Sequence, residues 1–168
     1  MLRAYKYRIY PTDEQKVLFA KTFGCCRFVY NWALNLKIEA YRQEKRSVAY
    51  KEVQDRLVNE LKKENQWLAE VNSQALLNSI RNLDIAYKNF FRDTHAVEFP
   101  RFKSRKNRQS FQCPQHCSID FAKGTITIPK AKDIPAVLHR GFKGTVKTVT
   151  VSMTPSGRYF ASIDRKSV

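Results

Sequence analysis

Between Phe99 and Gln112 the chain reads FPRFKSRKNRQSFQ, in which Arg101, Lys103, Arg105, Lys106 and Arg108 alternate with Phe99, Phe102 and Phe111. The stretch separates two kinds of pattern. Before it, apolar residues recur at three- and four-residue intervals; after it, they fall in short runs rich in Ile, Val and Thr. A chain divided in this way folds as helices and strands segregated along the sequence, the α+β class. The cations themselves call for a polyanion, and the interleaved aromatics offer flat faces on which unpaired bases can stack. A solubilising charge run at an element boundary has the same composition, so the rest of the chain must decide between the two.

The charge of the whole chain favours phosphate contact. Its 168 residues carry a formal net charge of +16, and the isoelectric point near 9.9 is in the range that points to nucleic acid as a partner. The excess is uneven, with 17 basic against 12 acidic residues up to Glu98 and 14 against 3 from Phe99 onward. An apolar content of 43% suffices for a core in one domain or two small ones. No run approaches the roughly 20 apolar residues of a membrane span, and Arg3, Lys6 and Arg8 open the chain without an apolar signal core. The expected location is the cytoplasm, with association to the nucleoid when bound to DNA.

In RAYKYRIY, Tyr5, Tyr7 and Ile9 alternate with Ala4, Lys6 and Arg8, which predicts a strand with one buried face and one cationic face. Pro11 ends it, and Thr12 with Gln15 forms a capping box that opens a helix. Gly24 is expected to break that helix. A longer one follows, with Phe28, Val29, Trp32, Ala33, Leu36 and Ala40 on one side and Arg27, Asn31, Asn35 and Lys37 nearer the other. Further helices are expected over residues 50–63, with Ser47 as cap, and after Asn72 or Ser73 along Leu76, Leu77, Ile80, Leu83, Tyr87, Phe90 and Phe91. Trp32 and Trp67 read as packing residues. Beyond the basic stretch, residues 117–121, 125–129, 145–152 and 158–163 read as short strands, the last two joined by the turn TPSG. They are too few for a sandwich, so closure with the first strand into a small antiparallel β-barrel is the economical arrangement. The expected division is residues 1–10 as first barrel strand, 11–97 as an inserted helical bundle and 98–168 as the remainder of the barrel.

The helices around Gly24 admit a helix-turn-helix reading, with Arg27, Asn31 and Asn35 toward a DNA groove, beside a plain helical hairpin. In SQALLNSIRNLDIAYKNFFR the polar face presents Gln74, Asn78, Arg81, Asn82 and Lys88, residue types that read base edges or take phosphate. Catalysis finds little support: after Glu98 the only carboxylates are Asp120, Asp133 and Asp164, none in a paired motif, and His95, His116 and His139 lack a nucleophile at recognisable spacing. Cys113, His116 and Cys117 leave metal binding open, but a full ligand set of proper spacing is missing.

With these pieces in place, the chain resembles the amino-terminal half of the TnpB (OrfB) family of transposon-encoded, RNA-guided DNA nucleases, relatives of the type V CRISPR effectors. The segments that carry the resemblance are YKYRIYPTDEQ, GCCRFVYNWAL, LNSIRNLDIAYKNFFR, FPRFKSRKNRQSF and VTVSMTPSGRYFASI, in the family's order and across nearly the whole chain. The resemblance implies a wedge-like, OB-like barrel interrupted by a helical recognition domain. Such a half binds the guide RNA scaffold, cradles the guide–target heteroduplex and reads a motif beside the double-stranded DNA target. By position it implies that Tyr50, Ser73, Gln74, Leu77, Gln112 and Cys113 belong to the motif-reading surface. Lys103, Arg105, Lys106 and Arg108 would neutralise phosphates, with Phe102 or Phe111 against sugar or base. In the family a RuvC-like nuclease domain with metal-binding carboxylates and a four-cysteine zinc finger follow the closing hairpin, whereas this sequence ends at SIDRKSV. That implies a natural split, a remnant or an engineered fragment. No catalytic residue, Mg2+ or Zn2+ is expected in this chain, and a separate RuvC-like polypeptide is a conceivable partner. The alternative function is a guide-independent transposition regulator acting through the helix-turn-helix.

Overall fold

The computed structural model describes residues 2–93 and 95–166, the first two of them by backbone alone. Residues 1, 94, 167 and 168, among them the end of SIDRKSV, lie outside the described residues. The elements follow in the order β1 (Leu2–Ile9), α1 (Asp13–Glu44), α2 (Tyr50–Arg56), a π-helical turn (Leu57–Leu61), α3 (Lys62–Glu64), a 3-10 turn (Gln66–Glu70), α4 (Ser73–Arg92), β2 (Gln109–Cys113), β3 (Ser118–Asp120), β4 (Thr125–Ile128), β5 (Ala131–Val137), β6 (Thr145–Met153) and β7 (Tyr159–Lys166). They form two compact units, one of residues 1–23 with 105–168 and one of residues 24–104. The architecture is α+β.

In the first unit the strands form an antiparallel sheet in the order β2-β6-β7-β1-β5-β4-β3. The outermost strands β2 and β3 do not pair with each other, so the sheet is open where a closed barrel was expected. Strand β1 joins its two halves, pairing with β7 along its whole length and with β5 only at Arg8 and Ile9. The inner face carries Tyr5, Tyr7, Ile9, Phe111, Val149, Val151, Ala161 and Ile163, all buried. Phe19 and Phe23, from the start of α1, pack on it, with Phe111 5.7 Å and 5.2 Å from their ring centroids. The capping box at the head of α1 is in place: the Thr12 amide donates to Gln15 Oε1 at 2.9 Å and the Gln15 amide to Thr12 Oγ1 at 3.2 Å. At Gly144, φ is +127° and an added Cβ would strike the Lys166 carbonyl, so only glycine admits the close pairing with β7 there.

Two strands escaped the sequence reading. β2 lies at the end of the basic stretch, where its inward residues Gln109, Phe111 and Cys113 are masked by cationic neighbours. β5 contains Pro135 and a left-handed Asp133 (φ +53°), both of which read as strand breakers. Pro135 is tolerated because the ladder uses its carbonyl, which accepts from the Tyr10 amide at 2.7 Å.

The second unit is helical, with Val29, Leu34, Val53, Leu57, Leu61, Leu68, Leu76, Ile80 and Leu83 buried. No break occurs at Gly24. Helix α1 runs through it without interruption, and a Cβ there would meet nothing nearer than the Arg27 side chain at 3.8 Å. An interior glycine costs a helix only about 1 kcal/mol, which the packed residues on either side offset. The turn required for a helix-turn-helix centred on Gly24 is therefore absent. Ser47 does not cap α2, which starts after Ala49 with no side-chain cap bond. Asn72 caps α4, its Oδ1 accepting from the Gln74 amide at 3.1 Å. Trp67 packs at the surface rather than in the core: it is 43% exposed and meets Phe28 edge-on at 5.0 Å.

Candidate nucleic-acid interface

The outward face of the sheet in the first unit follows from strand register. One row across β2, β6, β7 and β1 reads Ser110, Ser152, Phe160, Arg8; the next reads Gln112, Thr150, Ser162, Lys6. Period-two alternation puts these side chains opposite the buried Tyr7, Val151 and Ala161. The face thus carries the hydroxyls of Ser110, Thr150 and Ser162 and one amide along its middle and cations at its β1 edge, while Ser152 is itself buried. Lys6 Nζ lies 4.6 Å from the Phe160 ring centroid, and the Arg8 guanidinium lies between Tyr10 at 4.8 Å and Phe160 at 5.7 Å. Arg108 reaches the other edge, its Nη2 donating to Ser152 Oγ at 3.0 Å. The Arg8 Nε is buried and has no acceptor among the described residues. Contact with the aromatic rings holds the Lys6 and Arg8 side chains along this face. One carboxylate, Asp164, stands a row further along, opposite Ala4 and Thr148.

The basic stretch divides at the unit boundary. Arg105 and Lys106 are exposed in the first unit, and the Arg105 carbonyl accepts from the Gln109 amide at 3.1 Å. In the second unit Arg101 is exposed and paired with Glu98 at 2.8 Å, a surface pair of little energetic weight. Phe102 is 53% exposed. Lys103 is held from both sides: the Asn31 amide accepts from its backbone N–H at 2.7 Å and donates to its carbonyl at 3.0 Å. Its ammonium sits 4.3 Å from the Tyr30 centroid, where desolvation lowers its pKa, opposed by Cys26. Asn31, expected to face a groove, is instead an anchor for this segment. Asn31→Ala should cost roughly 1–2 kcal/mol for the two bonds and speed tryptic cleavage at Arg101 and Lys103, read by limited proteolysis; an unchanged cleavage rate would argue against the clamp.

Several proposed contact residues need correction. The Phe111 side chain is core, packed on Phe19 and Phe23. Cys113 is buried on the same inner face, opposite in pleat to the half-exposed Gln112. Neither side chain is available to nucleic acid. Phe99 belongs to a cluster with Tyr87 and Phe90, each 5.3 Å away.

On α4, Ser73, Leu77 and Arg81 recur at four-residue spacing, with Gln74 and Asn78 beside them, so they share one stripe. Ser73 and Arg81 are exposed and the other three half-buried. Tyr50 joins this stripe, its ring 6.0 Å from the Arg81 guanidinium. Arg27 is half-buried on α1. Of the late carboxylates, Asp120 accepts from the amides of Ala122 and Lys123, and Asp133 from the Thr125 hydroxyl, which are turn and strand roles. Among the described residues, no three His, Cys, Asp or Glu side chains come together in a group that could hold a metal ion. The Cys117 thiol points to the carbonyls of Cys113 and Gln115, and hydrogen bonding with Cys113 lowers its pKa. No helix among the described residues is long and apolar enough to cross a membrane.

Sequence reasoning missed Phe160, Thr150 and Ser162 on the sheet face. Their signal was present in β7, where Phe160, Ser162 and Asp164 alternate with Ala161 and Ile163.

Fold and surface thus define an α+β chain with one basic, hydroxyl-rich sheet face and one polar helix stripe. Residues 1–46 match the family model described as a helix-turn-helix domain of the OrfB type, although here α1 is unbroken through Gly24. The chain is 36% identical to a Streptomyces pristinaespiralis protein named as an RNA-guided DNA endonuclease, over 96% of this chain and 40% of that one. It is 35% identical to InsQ of Escherichia coli strain K12, named in the same way, over 99% and 41%. It is also 35% identical to the virulence protein VsdF of Salmonella dublin, over 64% of this chain and 98% of VsdF. The chain belongs to the TnpB (OrfB) family. It spans about 40% of the length of the two endonuclease relatives.

Proposed function

We propose that this chain is a nucleic-acid-binding portion of a TnpB-like RNA-guided nuclease, engaging guide RNA and target DNA without performing cleavage itself. The observation that carries the reading is the sheet face, where Lys6, Arg8 and Arg108 flank Phe160 and a ladder of Ser110, Thr150, Ser162 and Gln112. Cations at its edges suit backbone phosphates, and hydroxyl and amide groups between them suit the 2′-hydroxyls that distinguish RNA. Arg101, Phe102, Lys103, Arg105 and Lys106 extend the cationic surface. The stripe of Tyr50, Ser73, Gln74, Leu77, Asn78 and Arg81 has the mixture of amide, guanidinium and apolar groups that a groove reader needs, so the target-adjacent motif is assigned to it. Cleavage is assigned to a RuvC-like domain or separate polypeptide.

The test is to co-express the chain with its flanking genomic DNA, wash at high salt and sequence the retained RNA. One enriched species that ends in variable sequence supports the reading. Bulk RNA without enrichment, or no RNA, overturns the guide-binding role.

A further inference from the structure

The helical unit holds a cavity of about 680 Å³ that the proposed function does not use. It lies between the last turns of α1 and α4, and its walls include Tyr41, Tyr87, Phe91 and Phe99. Tyr87 and Phe91 are 6.1 Å apart at a shallow 30°, while Phe99 stands across Tyr87 at 77° and 5.3 Å. The cavity therefore offers both ring faces and ring edges. Its volume is in the range of small-molecule sites and larger than one nucleobase requires.

Its polar groups are sharply placed. Lys37 reaches in from α1 with its ammonium 5.0 Å from the Tyr87 centroid and donates to the Val48 carbonyl at 2.5 Å, its one hydrogen-bond acceptor among the described residues. An ammonium has three protons to give. Desolvation is the largest influence on Lys37 and lowers its pKa, opposed by Asp84 and Glu52. At the rim, Arg42 is paired with Glu39 at 3.2 Å, and Arg46 with Glu52 at 2.8 Å and Glu44 at 3.4 Å. The Arg42–Glu39 and Arg46–Glu44 pairs are exposed and weak enough for a phosphate to displace, whereas the Arg46–Glu52 bond is part-buried and stays in place as the phosphate approaches the other Arg46 donors.

We propose that this cavity receives a single unstacked nucleobase from a bound strand. Its ring lies against Tyr87 and Phe91, its acceptor edge accepts a hydrogen bond from the Lys37 ammonium, and its phosphate lies at Arg42 and Arg46. The alternative occupant, an apolar side chain of a protein partner, would cover the Lys37 ammonium and supply no acceptor, leaving donors buried at a cost. A base carries carbonyl oxygens and ring nitrogens at its edge, which removes that cost. The proposal rests on the nucleic-acid-binding reading above.

The experiment uses the full chain and two short RNA strands, identical except that one has an abasic central position. The intact strand should bind roughly tenfold or more tightly, in line with the worth of one base stacked on aromatic side chains, and should shift the methyl resonances of Ile38 and Val48. Phe91→Ser alters a ring that is 68% exposed, so folding is preserved; it should reduce the intact strand to the affinity of the abasic one and leave the abasic strand unchanged. Lys37→Met should have the same effect on the intact strand. Equal binding of both strands by the unaltered protein, or methyl shifts produced by an apolar peptide but not by RNA, overturns the cavity proposal and leaves nucleic-acid binding standing. Binding of neither strand overturns both.

Discussion

Truncation of Phe111 to Ala is expected to cost about 3–5 kcal/mol of folding stability, the usual range for deleting a buried aromatic. The ring is only 5% exposed and contacts Phe19 and Phe23, so its removal opens a cavity where the start of α1 meets β2. Phe102→Ala, in the same basic stretch, removes a ring that is 53% exposed and should change stability by no more than about 0.5 kcal/mol. The two residues look equivalent in FPRFKSRKNRQSFQ, and denaturant unfolding separates them. RNA affinity should respond in the opposite order. Phe102→Ala should weaken binding severalfold if the ring stacks on a base, whereas folded Phe111→Ala, assayed well below its unfolding midpoint, should bind normally. A stable Phe111→Ala protein with impaired binding would contradict the inward placement of this side chain.

That contrast also shows what the sequence could and could not reveal. β1 was legible because one of its faces is buried and the other is not, so Tyr5, Tyr7 and Ile9 mark the inside by period alone. Thr12 and Gln15 were legible because a capping box is local chemistry. Gly24 misled because a helix break depends on what packs around the glycine, and Phe23, Cys25 and Cys26 are all buried beside it. The strand character of Gln109–Cys113 was hidden by reading it as the tail of the cationic run that ends at Arg108, when the pleat turns Phe111 and Cys113 inward and Gln112 outward. Pairing is the least legible of all: Ser110, Ser152, Phe160 and Arg8 lie in one row although they come from distant parts of the chain. The cationic residue types of the candidate interface were readable; their assembly around Phe160 needed the sheet.

Neutralising Lys6, Arg8 and Arg108 together as glutamines should weaken RNA binding at least tenfold and make its salt dependence shallower. Each phosphate contact to a single strand contributes about 0.7 to the slope of log K against log salt, so losing three should reduce that slope by roughly 2. Loss of three positive charges anywhere also lowers the general attraction, and a matched control is therefore needed. Lys51, Lys62 and Lys63 serve, since they belong to the helical segment of α2 and α3. Their replacement by glutamine removes the same net charge without touching the sheet. Binding measured across a salt series should show the large change in slope only for the sheet-face variant. Arg8→Lys adds a finer test: it keeps the charge but loses the planar donor array held between Tyr10 and Phe160, so the slope should persist while affinity falls. If both triple variants reduced the slope equally, the attraction would be a property of total charge, and the ordered face would have no special part in it.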